Sequence, residues 1–208
     1  MNFLAHLALA GPEDASRIGN LLGDFEKGTA AHLALRFPPE VVKGIIMHRH
    51  LDAFTDSHPA FVAARQLLKP ERRRFGGILV DIFFDHFLAL HWAKFHPGTV
   101  PAFIEEIHEV FDRHPNWLGD HLGPLMPRFK GENWLASYAT PEGLEKTLER
   151  VSYRSPRLAP LAFAVPDLLA SFDEFRRLFM EFYPDARCRA RQLLEEDGMN
   201  SPTGPGFP

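Results

Sequence analysis

Residues 77–92 read GILVDIFFDHFLALHW. The stretch is apolar on nearly every side, and a helix hydrophobic all round belongs in a core. It is interrupted only by Asp81, Asp85 and His86 near its middle and by His91 at its end. Outward from this segment, apolar residues recur every three or four positions. Val41, Ile45, His48, Leu51 and Phe54 form one stripe, with a histidine on it. Leu144, Leu148 and Val151 form another, and Leu168, Leu169, Phe172, Phe175, Leu178, Phe179 and Phe182 a third. Prolines at 38, 39, 59, 70, 97, 101, 115, 141, 156, 166 and 184 punctuate the chain. Proline suits a first helical turn and not a helix interior. Thr140 before Pro141 is such a start, a threonine N-cap followed by proline. No period-two strand, hairpin dipeptide or internal repeat is found. The expected fold is all-α: one compact helical domain over residues 1–196 with about eight to ten helices. Residues 197–208, rich in Gly, Pro and Ser, are expected to be a disordered tail.

The chain has 208 residues, of which 45% are hydrophobic and 24% charged, the balance of a globular domain. Its 23 basic and 27 acidic residues give a formal net charge of −4, which excludes a dominant nucleic-acid footprint. A single cysteine, Cys188, excludes a disulfide framework and a four-cysteine zinc site, and a reducing, cytoplasmic setting is expected. The N-terminal run MNFLAHLALA lacks a basic leader and reads as a first helix. No run approaches the roughly 18 apolar residues of a membrane span.

Eleven histidines in a slightly acidic chain raise the question of metal binding. Asp81 and Asp85 are four apart and share a helix face, where two buried carboxylates repel. Each could cap a neighbouring helix or pair with an arginine; a cation between them gives the same relief. The four-residue spacing recurs in His48–Asp52, Asp52–Asp56, Asn20–Asp24 and Asn2–His6, mostly in apolar stretches. A histidine on an apolar face is more often a satisfied core residue, roughly three times in four. Several pairs on four separate helices are harder to dismiss, because helix bundles build metal sites from inward-facing side chains. Carboxylate and imidazole without thiolate suit Mn²⁺, Mg²⁺ or Fe better than structural zinc. Such an ion with an open position binds phosphoryl oxygen and activates water. Arg49, beside His48, suits a phosphate contact or, equally, a helix cap. His58 lies beside the second pair; His32, His50, His91, His96, His108, His114 and His121 read mostly as surface residues. Cys188 has no assigned base and reads as inert. No Gly-x-Ser-x-Gly elbow or phosphate-binding Gly-Lys loop is present.

Arginines outnumber lysines, 17 to 6, and they cluster at Arg72–Arg73–Arg74, at Arg150, Arg154 and Arg157, at Arg176–Arg177 and at Arg187, Arg189 and Arg191. Such clusters are usually solvated helix faces. In a net-acidic protein they can also steer an acidic partner. Arg72–Arg73–Arg74 precede Asp81 by about two helical turns, so a phosphorylated acidic protein would suit both features.

MNFLAHL at the start, GNLLGDF at 19–25, MHRHLDAFTD at 47–56 and DIFFDHFL at 81–88 together resemble the bacterial acyl carrier protein phosphodiesterases. ENWLASY at 132–138 and SPRL at 155–158 are similar to later family segments. The resemblance implies an enzyme that removes 4′-phosphopantetheine from the serine of holo-acyl carrier protein. It also implies a divalent metal, usually Mn²⁺, and a distant likeness to the helical HD phosphohydrolases. The HD group is named for an adjacent His-Asp pair, whereas this chain carries Asp85-His86 in the reverse order. On that basis Asp24, His48, Asp52, Asp81, Asp85 and His86 form the expected metal and water-activating cluster, and Arg49 contacts phosphate. Asn2, His6, Asn20, Asp56 and His58 are supporting or alternative ligands, and Arg72, Arg73 and Arg74 meet the carrier protein. Two other classes stay open. One is a phosphohydrolase acting on nucleotides or small esters with the same cluster. The other is a non-enzymatic carrier-binding protein whose buried polar pairs only lock its helices.

Overall fold

The structure is a computed structural model that describes residues 1–199, with side chains described to residue 196. Thirteen α-helices follow one another: α1 (Phe3–Leu9), α2 (Asp14–Leu22), α3 (Ala30–Leu33), α4 (Pro39–Ser57), α5 (Pro59–Gln66), α6 (Gly76–Leu90), α7 (Trp92–Phe95), α8 (Val100–Arg113), α9 (Gly119–Leu122), α10 (Met126–Gly131), α11 (Pro141–Ser152), α12 (Val165–Ala170) and α13 (Phe172–Met199). Short 3₁₀ turns join several of them, and no strand occurs among the described residues. The helix count exceeds the expected eight to ten because α3, α7 and α9 are single turns cut short between longer helices. No described helix is long and apolar enough to cross a membrane. The expected tail lies, from residue 200 onward, outside the described residues.

The segment 77–92 is the core helix that its composition requires. α6 buries Leu79, Val80, Ile82, Phe83, Phe84, Phe87 and Leu88. It is wrapped by α1, α5, α13 and the 3₁₀ turn Ala136–Ala139. Thr140 caps α11 through the Gly143 amide, with Pro141 at the first position, and Thr99 caps α8 in the same way. Pro184 departs from expectation, because α13 runs straight through it. Phe179, Phe182 and Tyr183 before it and Ala186, Ala190 and Leu193 after it are all buried on the core side. One continuous apolar face thus outweighs the loss of a single backbone hydrogen bond.

The packing that positions the site is α2 against α4. Gly19 and Gly44 meet where these helices touch, and a Cβ on Gly44 would lie 2.8 Å from the Gly19 Cα. Only glycine allows that approach. A Cβ on Gly23 would collide with the His48 ring. The close crossing therefore brings the end of α2, with Asn20 and Asp24, up to the middle of α4.

Candidate metal centre

His48 and Asp52 lie one turn apart on α4 and face α1, which contributes His6. The His6 and His48 rings stack with centroids 3.8 Å apart. Asp52 bridges them: its Oδ1 lies 2.9 Å from His6 Nε2 and its Oδ2 3.0 Å from His48 Nε2. One ligand atom from each of the three residues falls within 4.8 Å of the others. The backbone fixes the polarity of His48. Its Nδ1 is 2.8 Å from the carbonyl of Asn20, which can only accept. Nδ1 therefore carries a proton, and Nε2 is the ring atom left to face the carboxylate oxygen. A proton on Nε2 or a metal cation between the two atoms satisfies this 3.0 Å contact. An imidazole that donates Nδ1–H to a carbonyl and turns Nε2 inward is arranged as metal-binding histidines are. Burial and the neighbouring His48 push His6 down to about 3, so it is neutral near pH 7. Burial works to raise Asp52, but the hydrogen bonds to His48 and His6 outweigh it and hold the carboxyl well below its usual range.

A second layer of acids comes from α6 and from the end of α2. Asp81 holds the Met1 amino group, which also lies 3.8 Å from Asp52 Oδ1. Burial pushes Asp81 up to about 6 against the pull of that ammonium. Asp85 is fully buried and caps α1: Oδ2 accepts from Leu4 N at 2.8 Å and Ala5 N at 3.4 Å, and Oδ1 from Asn2 N at 3.2 Å. Its carboxyl is pushed up to about 7 by burial. Asp24 lies half-exposed at the edge, with Oδ1 3.9 Å from His48 Nε2. Burial raises it as well. Asp24 and Asp81 open onto a cavity of about 150 Å³, lined also by Met1, Trp134, Tyr138, Arg150 and Arg154.

Among the expected site residues, the structure brings Asp24, His48, Asp52 and Asp81 together, adds His6 at the centre, and places Asp85 directly behind. The others lie elsewhere. His86 turns away from Asp52 and donates through Nδ1 to the Tyr138 carbonyl at 2.7 Å. Asp85 faces the α1 amides and His86 the Tyr138 carbonyl, so the two side chains meet different neighbours. Asn20 contributes its backbone carbonyl to His48, while its side chain donates to Ser16 O. Asn2 caps α1, accepting from Phe3 N. Asp56 is exposed on the far turn of α4, and His58 caps α5 and pairs with Asp185. Arg49 donates to the carbonyls of Gly28 at 2.6 Å and Glu26 at 3.0 Å, which holds a loop.

Of the arginine run after Lys69, Arg73 and Arg74 are exposed as expected, but Arg72 is not. Arg72 is buried and makes a two-pronged bond to Asp167, with Nε–Oδ2 2.8 Å and Nη2–Oδ1 2.5 Å. The 3₁₀ turn Arg73–Phe75 swings it inward. Arg73 donates to the Leu68 and Gln66 carbonyls, and Arg74 stacks on Phe75. Four histidines expected mostly at the surface, His91, His96, His108 and His114, are half-buried instead; His96 packs on Tyr183 of α13, His108 on Phe129 and His114 on Trp117. The sequence reading missed Met1, Trp134, Tyr138 and the site-facing role of Arg150 and Arg154. The cluster at Arg150, Arg154 and Arg157 and the segment at 132–138 were the available signals.

The family model described as acyl carrier protein phosphodiesterase matches residues 1–186. The chain belongs to that family. A protein named acyl carrier protein phosphodiesterase from Photorhabdus laumondii subsp. laumondii is 37% identical over 185 residues, covering 88% of this chain and 92% of that protein. Proteins of the same name from Enterobacter sp. (strain 638) and Yersinia pestis are 35% and 36% identical, each covering 92% of this chain and 98% of the relative. No solved structure matches the chain, and the likeness to the HD phosphohydrolases stays an expectation from the motifs. The matched range spans His6, Asp24, His48, Asp52, Asp81 and Asp85 as well as Arg150 and Arg154.

Proposed function

We propose that this member of the acyl carrier protein phosphodiesterase family is a metal-dependent hydrolase. It removes 4′-phosphopantetheine from holo-acyl carrier protein and leaves the apo form. One observation carries the metal: a ligand atom from each of His6, His48 and Asp52 lies within 4.8 Å of the others, with the Nδ1 of His48 anchored on a backbone carbonyl so that Nε2 faces the cluster. His6, His48 and Asp52 are the residues that would hold the ion, and nitrogen and oxygen donors without sulfur suit Mn²⁺, with Mg²⁺ or Fe as alternatives. A divalent ion supplies Lewis acidity toward phosphoryl oxygen and makes water more acidic at neutral pH.

The chain's own groups do the rest. Asp52 stays ionised and fixes both imidazoles, while the Asn20 carbonyl keeps the His48 proton on Nδ1. Asp85 holds the first turn of α1, and so His6, against α6. Asp24 accepts no hydrogen bond among the described residues, so its carboxylate is free to take a proton from the attacking water at Oδ1. Asp81 lines the same cavity and keeps the Met1 ammonium in place. The small, acidic carrier protein suits a cavity mouth that carries arginines.

The test is mass spectrometry of purified holo-carrier protein incubated with the enzyme, with Mn²⁺ and with EDTA. Loss of the prosthetic arm with Mn²⁺ and none with EDTA is expected. No loss, or loss indifferent to EDTA, contradicts the proposal.

A further inference from the structure

The arginines that sequence position placed nearest the site are committed elsewhere. Arg49 holds two loop carbonyls and Arg72 a buried aspartate. Two others converge on the cavity from the opposite side. Arg150 is in the last turn of α11 and Arg154 follows four residues later. Both line the cavity of about 150 Å³ and an adjoining one of about 480 Å³, and the two cavities share Asp24, Phe3 and Trp134.

The two guanidinium groups differ in a way that suggests division of labour. Arg150 is locked. Its Nη2 donates to Thr147 Oγ1 at 2.9 Å, its plane lies over Trp134 at 4.4 Å, and Nη1 reaches Glu132 at 3.4 Å. The Arg154 side chain is exposed, and its guanidinium makes no hydrogen bond or ion pair among the described residues; its backbone N–H donates to Val151 O at 3.1 Å. It faces Asp24 across the cavity without touching it, close enough for its charge to favour the Asp24 carboxylate. Asp24 in turn reaches to 3.9 Å from His48 Nε2. A free planar donor fork on one side of a small cavity, and a cation-seeking His-Asp centre on the other, leave room for a group with anionic oxygens between them.

We propose that Arg154, backed by the fixed charge of Arg150, binds the anionic oxygens of the substrate's phosphodiester. The identity of the anion rests on the phosphodiesterase reading above; the anion seat itself does not. Arg154 touches the substrate, and Arg150 acts by holding the positive wall of the cavity through Thr147 and Trp134. A charge-assisted bond to an anion contributes about 1.5–3 kcal/mol, which corresponds to roughly a tenfold to hundredfold change.

The experiment uses full-length protein and the variants Arg154→Gln and Arg154→Lys, with two readouts. Inorganic phosphate is titrated calorimetrically into each, and kcat/KM is measured on holo-carrier protein. Both phosphate affinity and kcat/KM are expected to fall at least tenfold in Arg154→Gln. Arg154→Lys should recover part of the loss in each, and all three proteins should share one melting temperature because Arg154 holds nothing in the fold. Phosphate affinity unchanged in Arg154→Gln, or no phosphate binding by the parent protein, overturns the proposal. So does a kcat/KM unchanged in Arg154→Gln. If the parent protein binds phosphate in an Arg154-dependent way but leaves holo-carrier protein intact, the anion seat stands and the carrier-protein reading fails.

Discussion

Two groups of charged side chains in this fold are built on opposite principles. At one, Arg72 and Asp167 close on each other with two short bonds, and the Lys69 amide takes part of the remaining capacity of the aspartate at 3.2 Å. Donors match acceptors and nothing is left over. At the other, Asp24, Asp52, Asp81 and Asp85 gather around two histidines, and the positive charge on hand is the Met1 ammonium. Acceptors exceed donors, and His48 turns Nε2 onto a carboxylate. A matched buried pair mainly holds a fold in place, whereas an unmatched one is tolerated where something else is to bind. Exposure tells them apart as well. The Asp167 side chain is 0% exposed, while Asp52 and Asp24 are each 41% exposed and open toward solvent.

Mutations should separate the two groups. The largest effect is expected at the unmatched one. Asp52→Asn or His48→Gln should lower arm removal from holo-carrier protein by about 10³-fold, roughly 4 kcal/mol of transition-state stabilisation, while the melting temperature holds or rises. Parallel kinetics and calorimetry check this, and a melting temperature that collapses along with activity would make these residues structural. At the matched pair the expectation reverses. Asp167→Asn leaves a buried guanidinium uncompensated and should cost about 3–5 kcal/mol of stability, read by denaturant titration, with little change in kcat/KM for the folded fraction. Asp85 stands between the two, since it belongs to the acid cluster but acts as a helix cap. Asp85→Asn keeps one acceptor for the α1 amides and should cost about 1–2 kcal/mol. The smallest effect is acid titration of the matched pair. Burial works to raise Asp167, but its bonds to Arg72 and Lys69 hold it below its ordinary value of 3.8. Its contribution to stability is therefore complete above that value and lost as pH falls through the lower folded one. Urea midpoints of the parent and of Arg72→Gln should thus converge below pH 3.8.

The helices were legible because their signals are local. An apolar run at 77–92, proline starts and threonine caps are properties of neighbours in the chain, and the structure uses them as read. The candidate centre was half-legible for the same reason. His48–Asp52 is a one-turn pair and shows in the spacing. The placement of His6 against that pair depends on the packing of α1 on α6, which no spacing records. Asp85 and His86 are adjacent in sequence, but the packing of α1 and of the turn at 136–139 gives them different neighbours. Arg72 misled because a 3₁₀ turn, not a continuous helix, follows it. Arg154 showed in the sequence only as one member of an arginine cluster, not as a site residue. Its neighbours across the cavity, Asp24 and Trp134, come from distant parts of the chain and meet only in the folded protein.

The central claim is that His6, His48 and Asp52 hold a divalent ion on which hydrolysis of the carrier-protein phosphodiester depends. The most direct measurement is a Mn²⁺ titration of EDTA-stripped protein, followed by arm removal from holo-carrier protein in the same samples, for the parent and for His48→Gln. The account predicts one tight Mn²⁺ site per chain in the parent, activity that rises in step with its filling, and neither in His48→Gln. Full activity in the stripped parent, or the same tight site in His48→Gln, would contradict it.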